Sequence, residues 1–357
     1  MIVVILFKQE RRVGKLLTSN YTSYTKRRVI IIIVSAFILV GAVFFNLLTG
    51  SSGASVGDIF KTILDPGSAG IRLKAIVWDM RMPVAIMGIL VGASLASAGS
   101  IMQTILNNPL ASPYTLGVSA GAGVGASIVL VLGVGGLSIL GQFLIPTFAF
   151  AFSGIACLGI YLVSRAKGFS SSILVLAGIG MVFFFQAFQS FLQYLSSAEV
   201  LQNIVFWTFG SLSKSNWTNL SIIAGVFAVT FFLFIKNSWK LTAMRLGDNR
   251  ARSMGVDVDR LRKEMFILVS ILTATTVAFV GSIGFIGIIG PHIARMIVGE
   301  DQRFFLPMSA ICGAIILSTA SAITKIIVPG AIFPIGIITS LIGVPFFFLL
   351  LLKRKAV

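Results

Sequence analysis

"LGDNRARSMGVDVDRLRK", residues 246–263, is a charged island in an apolar chain: eight of its residues are charged, while the 357-residue chain is 11% charged and 57% hydrophobic. Long runs of Ile, Val, Phe and Leu flank it on both sides. A centrally placed Asp, Lys or Arg costs roughly 2.5–3.5 kcal/mol to insert into a bilayer, so eight would cost about 20 kcal/mol. No twenty-residue apolar span returns that much. The island therefore lies at a membrane surface, and what surrounds it must be the membrane part.

Apolar runs of about 20 residues recur along nearly the whole chain, and mean hydropathy is +1.00. Soluble cores and transmembrane barrels are patterned differently. The expected fold is an all-α polytopic membrane protein with ten spans, near 29–48, 82–106, 113–133, 140–164, 172–195, 217–236, 264–283, 284–299, 304–325 and 335–352. The eighth is short and broken by glycine. Residues 1–28 read as a cytoplasmic N-terminal segment and 353–357 as a cytoplasmic tail. The first span, after Lys26, Arg27 and Arg28, reads as an uncleaved anchor.

Ten spans put both termini on one side, and charge says which. With the termini in the cytoplasm, the inner segments hold 22 of the 28 Lys and Arg residues; only Lys61, Arg72, Lys74, Arg81, Lys214 and Lys325 fall outside. This clustering at span ends explains the net charge of +17 and argues against nucleic-acid binding. The island lies in a cytoplasmic loop, 240–263, between spans six and seven. Within it Asp248 suits a helix N-cap or first turn, and Gly255 a C-terminal stop. A short interfacial helix with Ala251 and Met254 on one side could dock into a groove on another protein. It could equally be a solvated connector.

Other motifs exclude more than they assign. No Walker A sequence is present: Gly14-Lys15 is followed by Leu16. Gly117, Gly121 and Gly125 recur every fourth residue, a spacing for close helix contact. Gly281, Gly284, Gly287 and Gly290 recur every third, suiting tight contact or a broken helix. His292, the single histidine, rules out a histidine metal cluster and reads as a hydrogen-bonding residue at a helix start. Cys157 and Cys312 sit in apolar runs as packing residues. Gln186, Gln189 and Gln193 share one face of "FFFQAFQSFLQYL" (183–195), facing protein or a water-filled path rather than lipid. The absence of acidic residues within spans weighs against the competing class, an ion-coupled secondary transporter.

Five stretches together carry a resemblance. They are "RMPVAIMGILVGASLASAGSIMQTILNNPLASPYTLGVSAGAGVG" (81–125), "WTFGSL" (207–212), "LGDNRARSMGV" (246–256), "GFIGIIGPHIAR" (284–295) and "PIGIITSLIGVPFFFLLL" (334–351). In this order they resemble the iron-siderophore permease family, the permease subunits of bacterial ABC importers for iron chelates, haem and vitamin B12. The resemblance covers the chain from about residue 29. It implies a permease that is not an enzyme, sits in the bacterial cytoplasmic (inner) membrane and pairs with a second permease, as a homodimer. Two cytoplasmic ATPase subunits would carry the ATP and magnesium, so this chain would bind no cofactor or metal of its own. A substrate-binding protein would dock from outside.

The resemblance also implies roles for residues. Asp248, Ala251, Arg252, Met254 and Gly255 match the ATPase-coupling helix, with Met254 where leucine is usual. Ser171 and Ser172, in "GFSSSILVLAG" (168–178), match a cytoplasmic gate before the fifth helix. Arg81 and Lys325 match basic positions that receive the binding protein, although Val84 replaces the second arginine of that motif. Gln186, Gln189 and Gln193 would line the path. The expected cargo is a ferric siderophore, with haem and cobalamin as alternatives.

Overall fold

The computed structural model describes residues 2–50, 53–67, 69–133, 141–327 and 333–353, so most of the expected tail (354–357) lies outside the described residues. Every regular element among them is helical. α1 (Ile2–Leu48) and the short α2 (Val56–Leu64) come first. α3 (Ile71–Lys74) passes through a π-helical turn, Ala75–Arg81, straight into α4 (Met82–Ile105). A 3-10 turn, Pro113–Leu116, leads to α5 (Val118–Leu132), α6 (Gly141–Lys167) and α7 (Ser171–Tyr194). Next come α8 (Ala198–Thr208), α9 (Trp217–Lys236), α10 (Ser238–Met244) and α11 (Asp248–Ser253). The chain closes with α12 (Val258–Val280), α13 (Ile286–Val298), α14 (Gln302–Ile327) and α15 (Ile335–Lys353).

Among the described residues seven helical segments are long and apolar enough to cross a membrane, the first being Tyr24–Leu48 within α1; α5, α13 and the apolar part of α15 are shorter. The ten expected spans are these ten helices. α1 is helical from Ile2, so the expected division at residue 28 marks a change of composition rather than a break in the backbone.

α4 is the central post. Its apolar window is 78% buried, against 17% for α7 and α9. Its sequence explains this, because glycine, alanine and serine let neighbouring backbones approach. A Cβ on Gly99 would lie 2.6 Å from the Gly287 carbonyl carbon on α13, and one on Gly92 would lie 2.7 Å from that of Gly313 on α14. The Gly121 and Gly125 spacing does the same for α5 against α6, meeting the backbone of Phe152 and Phe148.

Two of the expected spans are half-spans. α5 has 15 residues and α13 has 13, about 22 and 20 Å at 1.5 Å per residue, against a core about 30 Å thick. Both begin at depth. Gly117, before α5, packs on Met181 midway along α7, and Gly287 of α13 packs between Leu95 and Gly99 of α4. The seventh span accordingly runs 258–280 rather than 264–283, and the chain returns inward through non-helical residues 281–285. Backbone bared at such depth must be satisfied by protein. Here the Tyr114 hydroxyl accepts from Ile283 N at 2.8 Å, and Ser211 N donates to Val280 O at 2.8 Å. Gly281 and Gly284 thus belong to the break and Gly287 and Gly290 to the packing. Pro291 and His292 fall inside α13, not at its start, and the imidazole lies edge-on to Phe346.

The two ends of the bundle sort the connections as the charge argument requires. One end gathers the 47–50, 78–81 and 211–217 connections with residues 324–325 and 333–335, and Trp217 Nε1 donates to Trp78 O at 3.1 Å. The other gathers 105–108, 168–170, 245–263 and 299–303, where Arg245 pairs with Glu300, and Arg295 lies 3.1 Å from the same carboxylate. Burial pushes the Asp301 carboxyl up, but hydrogen bonds from Arg303 and the charges of Arg303 and Arg28 hold it below the usual range. That pairing persists to correspondingly lower pH before protonation removes it.

Candidate functional site at the cytoplasmic face

The island folds into the capped helix α11. Asp248 occupies its first turn, with Gly247 as the cap residue. At the other end Gly255 has φ +82, Gly255 N donates to Arg252 O at 2.9 Å, and Val256 N to Ala251 O at 3.1 Å. This pair of bonds closes a helix through a left-handed residue. Buried Ala251 and Val256 share the core beneath it.

The structure separates two residues that sequence placed on one docking side. Ala251 is fully buried against its own chain, because the closing turn folds Val256 back beneath the helix. Met254 is 46% exposed, and Leu246, which sequence reading passed over, is 52% exposed at the opposite end of α11. Two apolar side chains, with exposed Arg250 and Arg252 between them, form the outward face. Arg252 is tied to Asp259 at 3.0 Å.

Beneath α11 lies Arg262, the largest fully buried side chain among the described residues. Its Nη2 donates to both carboxylate oxygens of Asp248, at 2.8 and 2.9 Å. Nε donates to Ile105 O at 2.9 Å, and Nη1 to Phe169 O at 2.8 Å. Asp259 adds a charge 3.8 Å away. A buried guanidinium is tolerated only when paired and hydrogen-bonded, and this one is both.

Ser170 ends the connection into α7, and its side chain accepts from Ile173 N at 3.4 Å. Ser171 and Ser172 are consequently the first residues of α7, not loop residues. Gln189 Nε2 lies 3.3 Å from Thr208 Oγ1 on α8, and Gln189 also packs on Gly123. Gln186 is exposed and Gln193 half-buried. The three glutamines share a face, but only Gln189 has its side-chain amide in a bond to another helix.

At the opposite end Arg81 and Lys325 come together on one cleft of about 410 Å³ with Asp79, Ser211 and Ser213. Their charged heads turn inward. Arg81 Nη1 donates to Leu47 O at 2.7 Å, and Lys325 Nζ donates to Asn46 O at 2.9 Å and Asn46 Oδ1 at 2.6 Å. Carbonyls at the end of a helix lack internal partners, and these two cations supply them for α1. Replacing Lys325 with Met should strand the Asn46 carbonyl, costing about 1–3 kcal/mol. The check is a lower Tm for the purified variant; an unchanged Tm counts against this role.

A bundle of apolar helices with half-spans at its centre, a capped helix at the cytoplasmic face and no regular element but helix among the described residues defines a multi-pass membrane protein. Residues 38–353 match the FecCD transport family, and the chain belongs to that family. It is 36% identical over 94% of its length to 97% of a Methanocaldococcus jannaschii protein provisionally named an ABC transporter permease. It is 33% identical over 94% of its length to 98% of an Fe(3+)-citrate import system permease of Bacillus subtilis. A solved inward-facing structure, of a transporter provisionally assigned to the metal-chelate ABC type, superposes with a TM-score of 0.78. It is 30% identical and covers 91% of this chain and 99% of that one.

Proposed function

We propose that the chain is the membrane subunit of an ATP-driven importer of iron chelates in the bacterial cytoplasmic membrane, working as a homodimer on two ATPase subunits. The observation carrying this reading is α11, a pinned helix that presents Leu246 and Met254 to the cytoplasm. Exposed apolar anchors beside arginines suit a groove on a soluble partner. ATP binding by the partner subunits would move α11. The spans would then rock between outward and inward openings, with release past Ser171 and Ser172. The sparse burial of α7 leaves its Gln186 face for the second copy or for the path. At the outer face, carboxylates of a binding protein would compete for Arg81 and Lys325.

Kinship with ferric-citrate and ferric-hydroxamate permeases supports iron, and haemin and cobalamin permeases are relatives of similar identity, so the cargo is decided by transport. The decisive test is ATP-dependent uptake into proteoliposomes holding the permease, its ATPase and its binding protein. Ferric citrate, a ferric hydroxamate, haemin and cobalamin would be offered singly. Uptake of a ferric chelate is expected, and uptake of cobalamin or haemin alone would overturn the iron assignment. Uptake driven by an ion gradient without the ATPase would overturn the ABC reading itself.

A further inference from the structure

We propose that Arg262 is the positioning residue that transmits movement of α11 to the entry of α7. This inference rests on α11 being the ATPase contact and on Ser171 and Ser172 flanking the gate. One guanidinium holds three separate pieces of the cytoplasmic face: α11 through Asp248, the end of α4 through Ile105 O, and the segment before α7 through Phe169 O.

The accounting at α4 shows why the link is specific. Met102 O accepts from Leu106 N, Gln103 O from Asn108 N, and Thr104 O from Asn107 N. The last helical carbonyl, of Ile105, is left for Arg262. Phe169 O lies one residue before the Ser170 cap of α7, in a segment entered through Gly168 at φ +89. The Phe169 ring leans on Tyr161 of α6, with centroids 5.4 Å apart.

α11 has little else to fix its angle, since it is six residues long and buries only Ala251. The guanidinium is planar, with donors in a fixed fork, so it cannot follow one partner without shifting or releasing another. Releasing one would leave a buried charge or carbonyl unpaired. Moving together is the less costly course. Displacement of Asp248 is thereby converted into displacement of the Phe169 carbonyl and the first turn of α7. A lysine could keep the charge but not the three-way geometry, having a compact ammonium on a flexible stem.

The test uses the full complex with its ATPase, in inside-out membrane vesicles, with Ser172→Cys as reporter against the buried Cys157 and Cys312. A membrane-impermeant maleimide reports exposure at residue 172, with and without vanadate-trapped nucleotide. The parent complex should change its labelling rate about tenfold on trapping, within the range usual for coupled sites. Arg262→Lys should still co-purify with the ATPase and hydrolyse ATP within about twofold of the parent, yet lose most of that response. Asp248→Ala removes both acceptors and so severs the same link from its more exposed side, and it serves if Arg262→Lys fails to assemble. The double variant should lose no more than the worse single one.

A nucleotide response at residue 172 that survives both substitutions overturns the relay. Equal loss of assembly, hydrolysis and response in every variant also overturns it, leaving Arg262 a purely structural staple. If the parent complex itself fails to form or to respond, the coupling and gate reading falls first, and the relay with it.

Discussion

Gly99→Leu is expected to leave almost no extractable, monodisperse protein. The bare Cβ would meet the Gly287 carbonyl carbon at 2.6 Å and its Cα at 2.7 Å, both backbone atoms that cannot swing aside. A leucine adds three further carbons at the crossing of α4 and α13. Overpacking a core costs about 1–3 kcal/mol and sometimes more, and a clash with backbone belongs at or beyond the top of that range. Net folding stability is only about 5–15 kcal/mol. Gly154→Leu is the matched control, because a Cβ there meets nothing within 4 Å. Size-exclusion profiles of fluorescently tagged protein in detergent would separate the two. If both variants elute like the parent, the close crossing of α4 and α13 is not what holds the bundle.

Met254→Asp is expected to do the opposite: spare the fold and abolish assembly. Met254 is 46% exposed, so a carboxylate there stays hydrated and costs the isolated subunit little. Pressed into a partner's groove, the same charge would be desolvated, and the apolar anchor would be gone. A central anchor of this kind is worth about 2–4 kcal/mol, so affinity for the ATPase should fall on the order of 100-fold. The measurement is co-purification of the ATPase with the permease, alongside the permease Tm. An undiminished complex would remove α11 from the interface, whatever the uptake assay shows.

Much of this was legible because membranes punish errors. Charge cost placed residues 246–263 outside the bilayer, positive-inside bias set their side, and Gly255 ended the helix where its φ requires. Spans were countable since each needs its own apolar run. What escaped was everything decided by partners distant in sequence. Hydropathy cannot tell a half-span from a full one, so 113–133 looked like the rest, while only the shortness and glycines of 284–299 set it apart. Helical spacing grouped Ala251 with Met254, but the turn at Gly255 and Val256 decides which of them faces inward.

Arg262 looked like one more surface charge in a charged loop, because its partners Ile105 and Phe169 lie 157 and 93 residues away. Asn46, the acceptor for Lys325, gave a faint signal as an amide near the end of an otherwise apolar run. α8 was hidden in a connection too short and mixed to read as a span.

The half-spans also bear on how the protein meets lipid. Hydrophobic mismatch is felt only by helices that touch the bilayer along their length. α5 and α13 are anchored instead on glycine crossings and on the Tyr114 hydroxyl, so membrane thickness sets no constraint on them. The burden falls on sparsely buried α1, α7 and α9, whose apolar lengths run from 20 residues in α9 to 25 in α1. The longer helix can tilt where the shorter cannot. In a thinner or thicker membrane the outer staves lean or draw the lipid to themselves, while the broken helices at the centre keep their register.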